Sequence, residues 1–316
     1  MRVLIVGGAG FIGLSVVQNI QESGWEPTVI DNLLNFPHNK FDQSLQQNLI
    51  VKDILTVQPS DLDGRFDALI HLAAIPSVSS SWRDLYQAHQ HNLSTTVKVM
   101  ELCRQLQIPK LIFASSAAVY GDSLLGKKYF LNERRTLSPQ SPYGLQKKSS
   151  EEYLTLVAPS LDLQVVTLRL FNVYGYKAIS DLKGQDVISI FTRKAFQNEG
   201  LTIFGDGQQQ RDFIHVQDVA RAFRLALSRP RQSTPVEVFN IGVGQGRSLL
   251  DVIDILRGHF PDWQHQPCFQ PSRRGDIAYS VAAVERAKQE LGFEAQISLS
   301  EGIALLIHQL RQNAAQ

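Results

Sequence analysis

The sequence predicts an α/β protein: a doubly wound parallel sheet with a smaller α+β C-terminal region. Three observations predict it. Short apolar runs alternate with helical stretches through the first half of the chain, the pattern of βαβ units. A glycine-rich turn separates the first such run from the first helical stretch. Beyond Leu170 the alternation loosens. With 316 residues, 43% hydrophobic and 19% charged, the chain has a globular composition and length for about two domains.

The elements follow in order. Arg2 to Val6 is an apolar run suited to a buried parallel strand. Gly7-Gly8-Ala9-Gly10-Phe11-Ile12-Gly13 comes next, and Leu14 to Ser23 carries a helical pattern. Strand, glycine turn and helix in this order predict a dinucleotide site. The glycines permit tight turning and close approach to a pyrophosphate, whose charge sits at the helix N-terminus. The spacing is G-x-x-G-x-x-G, one residue longer than G-x-G-x-x-G. Trp25 to Ile30 reads as a second strand ending at Asp31, followed by Asn32. A carboxylate there accepts hydrogen bonds from the adenosine ribose and repels a 2′-phosphate, which favours NAD over NADP.

Leu49-Ile50-Val51 leads to Asp53 and Ile54; Phe66 to Leu72 leads to Ala73-Ala74. A helical stretch runs from about Asp84 to Gln107, Lys110 to Ala114 enters Ser115-Ser116, and Val165 to Leu170 makes a further strand. Ligands of such sheets bind beyond the carboxyl ends of the strands, so Gly7, Asp31, Asp53, Ala73, Ser115 and Ser116 are expected along one edge. The expected organisation is a Rossmann-type NAD-binding domain over 1–170, rejoined by a strand near 236–242, and a discontinuous substrate-binding domain over 171–316.

Tyr143-Gly144-Leu145-Gln146-Lys147 places a phenol and an ammonium one turn apart on one helical face. Ser141-Pro142 before them is a helix start, with Ser as cap and Pro at the first position. A free phenol has a pKa of about 10, and a nearby Lys⁺ favours the phenolate.

Composition excludes several classes. Net charge is +1, from 31 basic and 30 acidic residues without blocks of one sign, which argues against a nucleic-acid track or an anionic membrane surface. No apolar stretch approaches the ~20 residues of a membrane span. Cys103 and Cys268 are too few and too scattered for a disulfide or zinc framework. With a strand starting at residue 2 leaving no room for a cleavable signal, a cytoplasmic enzyme without a metal is expected.

Gly7-x-x-Gly10-x-x-Gly13, His71-Leu72-Ala73-Ala74, Ser115-Ser116-Ala117-Ala118-Val119-Tyr120-Gly121 and Ser141-Pro142-Tyr143-x-x-x-Lys147 together resemble the extended short-chain dehydrogenase/reductase family. Within it, the chain is similar to nucleotide-sugar epimerases and dehydratases, above all UDP-hexose 4-epimerases, from Met1 to about Phe293. The resemblance implies that Tyr143 is the acid/base and that Lys147 binds the nicotinamide ribose while tuning the phenol. It implies that Ser116 hydrogen-bonds the reacting hydroxyl, that Asp53 and Ile54 flank the adenine, and that Asn92 lies near the cofactor. His89 and His91 match nothing assignable.

The same resemblance extends to substrate. Phe171-Asn172-Val173-Tyr174-Gly175 matches a strand end whose Asn contacts the sugar diphosphate, with Val187 beyond it. In the matching signatures Phe204 lines the base pocket, Arg211 and Arg273 hold phosphate, and Asp276 completes the second element. The fourth residue past that Asp borders the sugar; here it is Ser280, small enough to admit N-acetyl groups. Departures from the family pattern are Ala283 for a capping Asp, Asp186 for Asn and Ser189 for Pro.

Reaction type turns on the residues between Ser116 and Val119. Dehydratases and decarboxylases resembling this chain carry an acidic residue there; Ala117 and Ala118 cannot transfer protons. The resemblance then implies a 4-epimerase: Tyr143 takes the 4-hydroxyl proton, C4 is oxidised to a 4-keto sugar, and hydride returns to the other face. A dehydratase or oxidoreductase of the same family, or a non-catalytic NAD(H) sensor, are the alternatives; intact Ser116, Tyr143 and Lys147 argue against the sensor. Family analogy also implies a homodimer through helices near 84–107 and 143–157.

Overall fold

A computed structural model describes residues 1–34, 48–76, 78–122, 129–176, 186–272 and 276–314. Its first part runs β1 (Arg2–Val6), α1 (Phe11–Glu22), β2 (Glu26–Asp31), β3 (Leu49–Val51), β4 (Ala68–His71), α2 (Val78–Arg83) and α3 (Leu85–His89). A π-helical turn (Gln90–Ser94), α4 (Thr95–Gln105), β5 (Lys110–Ser116), α5 (Pro142–Val157) and β6 (Gln164–Leu170) follow. Then come β7 (Asn172–Tyr174), α6 (Val187–Phe196), β8 (Thr202–Phe204), β9 (Gln210–His215), α7 (Val216–Ser228) and β10 (Val236–Ile241). The last elements are β11 (Gly246–Arg247), α8 (Leu249–His259), β12 (Cys268–Gln270), β13 (Tyr279–Ser280) and α9 (Leu299–Ala314).

Seven described strands form one parallel sheet in the order β10-β6-β5-β4-β1-β2-β3. Its strands are covered on both faces, which is why β1 is apolar without alternation. Val3 and Ile5 face the core shared with Val16 and Ile20 of α1 and Phe223 of α7, whereas Leu4 and Val6 face Val99 and Met100 of α4 and Leu154 of α5. Helix α7 thus lies on the first sheet, packed against α1, although its sequence falls beyond Leu170.

A separate core gathers Ile188 and Phe191 of α6, Val252 and Leu256 of α8, Trp263, and Ile303 and Leu306 of α9. Beside it a small sheet joins β11, β9 and β13, with β7 also paired to β9; β8 pairs with β12. Among the described residues no helix is long and apolar enough to cross a membrane.

The helical stretch expected from about Asp84 to Gln107 is found as one run over 85–105, with helical backbone carried through the π turn. Asp84 caps α3 by accepting the Gln87 N–H, and the π turn then widens the ladder before α4. The wider turn carries Asn92, which is fully buried. Such π turns recur at functional sites.

Candidate active site

The turn after β1 is set by contact. Gly7 has φ +85°, and a Cβ there would stand 2.5 Å from the Ala73 nitrogen. A Cβ on Gly13 would stand 2.4 Å from the Gly7 carbonyl oxygen. No side chain caps α1 at Gly10, and no acidic residue lies in its first turn of Phe11, Ile12 and Gly13, so its positive end is left to an anion. At the end of β2, Asp31 accepts the Ala9 N–H at 3.0 Å and the Leu33 N–H at 2.9 Å. Burial raises its carboxyl above the usual range, and the two N–H donors oppose that rise. Asn32 accepts the Leu34 N–H. These residues fit a dinucleotide: backbone bare at the turn, a helix start above it, a carboxylate at the next strand end.

The remaining strand ends lie along the same edge. Asp53 accepts the Leu55 N–H at 2.9 Å, and Ile54 buries its side chain in the core. The Leu72 and Ala73 N–H groups donate to the Val6 carbonyl, carrying Ala74 past the glycine turn. Asn92 is committed to the next loop: its Oδ1 accepts the Ile75 N–H at 2.8 Å and its Nδ2 donates to the Ile75 carbonyl. In this structure it pins residues after β4.

Ser141 caps α5 by accepting the Gly144 N–H at 3.1 Å, with Pro142 in the first helical position. Gly144 lies where a Cβ would come within 2.5 Å of the Ala118 carbonyl, so the helix start presses against the turn Ala117–Val119 after β5. That approach brings Tyr143 to Ser116, whose hydroxyl acts to lower the phenol. Ser116 also accepts the Ala118 N–H. The Tyr143 backbone N–H donates to Ser81 of α2, a fully buried hydroxyl. Sequence reasoning missed Ser81, for which the sequence carries no signal. Gly144 did carry one, a glycine inside a helix where it costs ~1 kcal/mol unless packing requires it.

Lys147 is buried one turn on. Its Nζ donates to the Ala114 carbonyl at 2.8 Å and stands 4.8 Å from the centre of the Phe113 ring. Burial brings the ammonium down to about 7, against the opposing pull of the Glu151 carboxylate. Burial pushes the Tyr143 phenol up to about 12, with only the Ser116 hydrogen bond working against it. The expected lowering of the phenol by Lys147 is not seen in the chain alone, where burial and Ser116 are the causes that act on it.

On the other side, β9 joins Arg211 to Asp276 and Ser280. Arg211 donates to Asp276 at 3.0 Å and to the Gln210 carbonyl, and it pairs in register with Ser280 of β13. Ser280 is buried, Phe204 is half-buried at the end of β8, and Asn172 is exposed on β7. Val187 opens α6, and Asp186 before it caps that helix, accepting the Ser189 N–H at 2.9 Å and the Ser189 hydroxyl at 2.7 Å. The two departures at 186 and 189 are thus one cap, with the carboxylate turned to the helix start. Arg273 lies outside the described residues. Among the described residues no group of three or more His, Cys, Asp and Glu is placed to hold a metal ion.

Fold and strand-edge geometry together define a Rossmann-type, dinucleotide-binding protein whose strand edge gathers Ser116, Tyr143 and Lys147. The chain belongs to the NAD dependent epimerase/dehydratase family, whose model matches residues 3–242. It is similar to a UDP-glucose 4-epimerase from Thermotoga maritima, solved with UDP-glucose (32% identical, covering 99% of this chain and 100% of that one, TM-score 0.89). A UDP-N-acetylglucosamine 4-epimerase from Methanobrevibacter ruminantium, solved with UDP-N-acetylmuramic acid, is 28% identical over 99% of this chain and 98% of its own, with TM-score 0.88. A Thermus thermophilus UDP-glucose 4-epimerase in complex with NAD is 30% identical over 98% and 99%, with TM-score 0.86.

Proposed function

We propose that this chain is an NAD-dependent isomerase, a UDP-hexose 4-epimerase that also accepts N-acetylhexosamine. The observation that carries the reading is Tyr143 next to Ser116 and one helical turn from buried Lys147, with Ala117 and Ala118 offering no further proton donor. The glycine turn, Asp31, Asn32, Asp53, Ile54, Leu72, Ala73, Ala74, Ser115 and Lys147 are the residues assigned to hold NAD. Bound there, it supplies a reversible hydride acceptor for C4.

Tyr143 takes the O4 proton as C4 becomes a carbonyl and gives it back as C4 is reduced; Ser116 relays that proton and fixes the hydroxyl. Lys147, charged, offsets the developing phenolate. Arg211 and Asp276 hold the diphosphate and ribose end with Arg273, Phe204 and Asn172, and Ser280 leaves room at the sugar. The planar guanidinium suits two phosphate oxygens at once. Asn92 is assigned to the cofactor edge through the loop that it pins.

A homodimer is part of the proposal: Leu145, Tyr153 and Leu156 form an exposed apolar line on α5, beside exposed Val97 of α4. So is a cytoplasmic location, which two free thiols support.

The test is NMR of purified protein with UDP-GlcNAc, UDP-Glc and UDP-GlcA, no cofactor added. A stable mixture of C4 epimers is expected, slowed ~10²–10⁴-fold in Tyr143→Phe with unchanged circular dichroism. No epimer from any substrate would overturn the reading.

A further inference from the structure

Helix α5 carries a third residue on the face of Tyr143 and Lys147, one more turn along: Glu151. Its carboxylate is almost wholly buried and saturated. It accepts the Ser115 hydroxyl at 2.5 Å and takes Arg169 of β6 in a fork, Nη2 to Oε2 at 2.6 Å and Nε to Oε1 at 3.0 Å. Arg169 cannot follow a moving partner, because its Nη1 is held by the Tyr120 hydroxyl at 2.9 Å and by the Glu133 carbonyl. Tyr120 is fixed in turn on Asn240 of β10 at 2.6 Å.

We propose that the buried Glu151–Arg169 ion pair is the positioning element that sets the charge of Lys147, and so whether the ammonium is present beside Tyr143. This rests on the epimerase reading for what the ammonium is for, not for what controls it. Lys147 makes no ion pair among the described residues, and Ala114 is the one carbonyl it reaches there. The charged or titratable groups facing it are few. Glu151 and Tyr143 come from its own helix, and Arg169 from β6 behind the carboxylate. From β4 comes His71, fully buried, its ring tilted 35° to that of Phe113 and held neutral by burial and by the lysine itself. From β5 come only Phe113, a carbonyl and two hydroxyls.

Glu151 and Arg169 sum to zero, so the buried group carries the single charge of Lys147. Remove the carboxylate and Lys147 loses the negative group that acts on it, while Arg169 behind is left without its partner; Lys147 then gives up its proton more readily. Remove the guanidinium and the carboxylate acts on Lys147 undivided; the proton is held to higher pH. The two halves of one ion pair must therefore act in opposite directions. A contact that serves packing alone would not show this.

The test reads Lys147 directly, by ¹³C NMR of protein labelled at lysine Cε, with its resonance assigned by loss in Lys147→Met. Glu151→Gln is expected to move its titration midpoint down by ~1 pH unit or more, and Arg169→Gln to move it up by ~1 unit or more. Arg169→Lys, which keeps the charge, leaves it in place. Unmoved midpoints, or movement in one direction in both variants, overturn the proposal. If Glu151→Gln does not fold, the direction in Arg169→Gln decides alone; if neither folds, Glu151→Asp, which draws the carboxylate back, must lower the midpoint. Neither substrate nor turnover enters the readout, so its failure leaves the epimerase reading standing, and the reverse holds.

Discussion

At the scale of single residues, burial governs the site. It raises the phenol of Tyr143 and lowers the ammonium of Lys147, so each group's neutral form is favoured until a bound charge changes the balance. For Lys147 the sign is definite. Its ordinary value is 10.5 and its folded value about 7. Between these the unfolded chain holds a proton that the folded chain does not, so this group makes stability rise with pH across that window. Below pH ~7 the full cost of burying the ammonium is present. Lys147→Met should therefore stabilise the fold against urea by at least ~1 kcal/mol more at pH 6 than at pH 10. Ser280, buried in register with Arg211, carries the specificity expectation. Ser280→Tyr should abolish turnover of UDP-GlcNAc while reducing that of UDP-Glc less than ~10-fold, measured by NMR of the product epimers. Both residues were legible in the sequence, one by helical spacing and one by position in a signature. The Glu151–Arg169 pair was not, because its members are 18 residues apart on different elements and no local pattern links them.

Elements were legible in proportion to their periodicity. β1 to β6 are apolar-rich runs that alternate with helices, and each is found within a residue or two of its expected place, β5 running on through Ser116. Two-residue strands such as β11 and β13 have no period to read, and the π turn depends on Asn92 finding Ile75, a tertiary event. Asp212 shows what such short elements need to hold them. From β9 it accepts the N–H groups of Val243, Gly244 and Ala282 at 2.7, 2.9 and 3.1 Å. The sequence presents it only as the neighbour of Arg211, yet it ties two loops to one strand. Asp212→Asn replaces one acceptor oxygen by a donor facing N–H groups; a loss of about 2–4 kcal/mol is expected in urea unfolding. Its carboxyl is raised to about 6 by burial despite those three donors. The folded chain therefore binds this proton more tightly than the unfolded one, and the stability linked to it is full below pH ~4 and declines as pH rises through about 6.

At the scale of the molecule, the alternation of strands and helices was enough to predict a doubly wound sheet, and the order β3-β2-β1-β4-β5-β6 is the one that places Gly7, Asp31, Ala73 and Ser116 on one edge. The position of α7 against α1 was not legible, since a helix's amphipathic pattern does not name the surface that it covers. The apolar line Leu145-Tyr153-Leu156 on α5 bears on assembly. Leu156→Glu should halve the mass measured by light scattering at micromolar concentration if two copies meet there, while leaving the fold intact. One further consequence follows from the seventh strand. β6 pairs with β10 from Val165 with Val236 through Leu170 with Ile241, and some 70 residues separate the ends of the two strands. A ribosome adding ~5–20 residues per second leaves that buried, branched edge without its partner for ~4–14 s. For those seconds the nascent chain offers an open template to any passing strand, so its safe arrival depends on the pace of translation and on whatever shields the edge meanwhile.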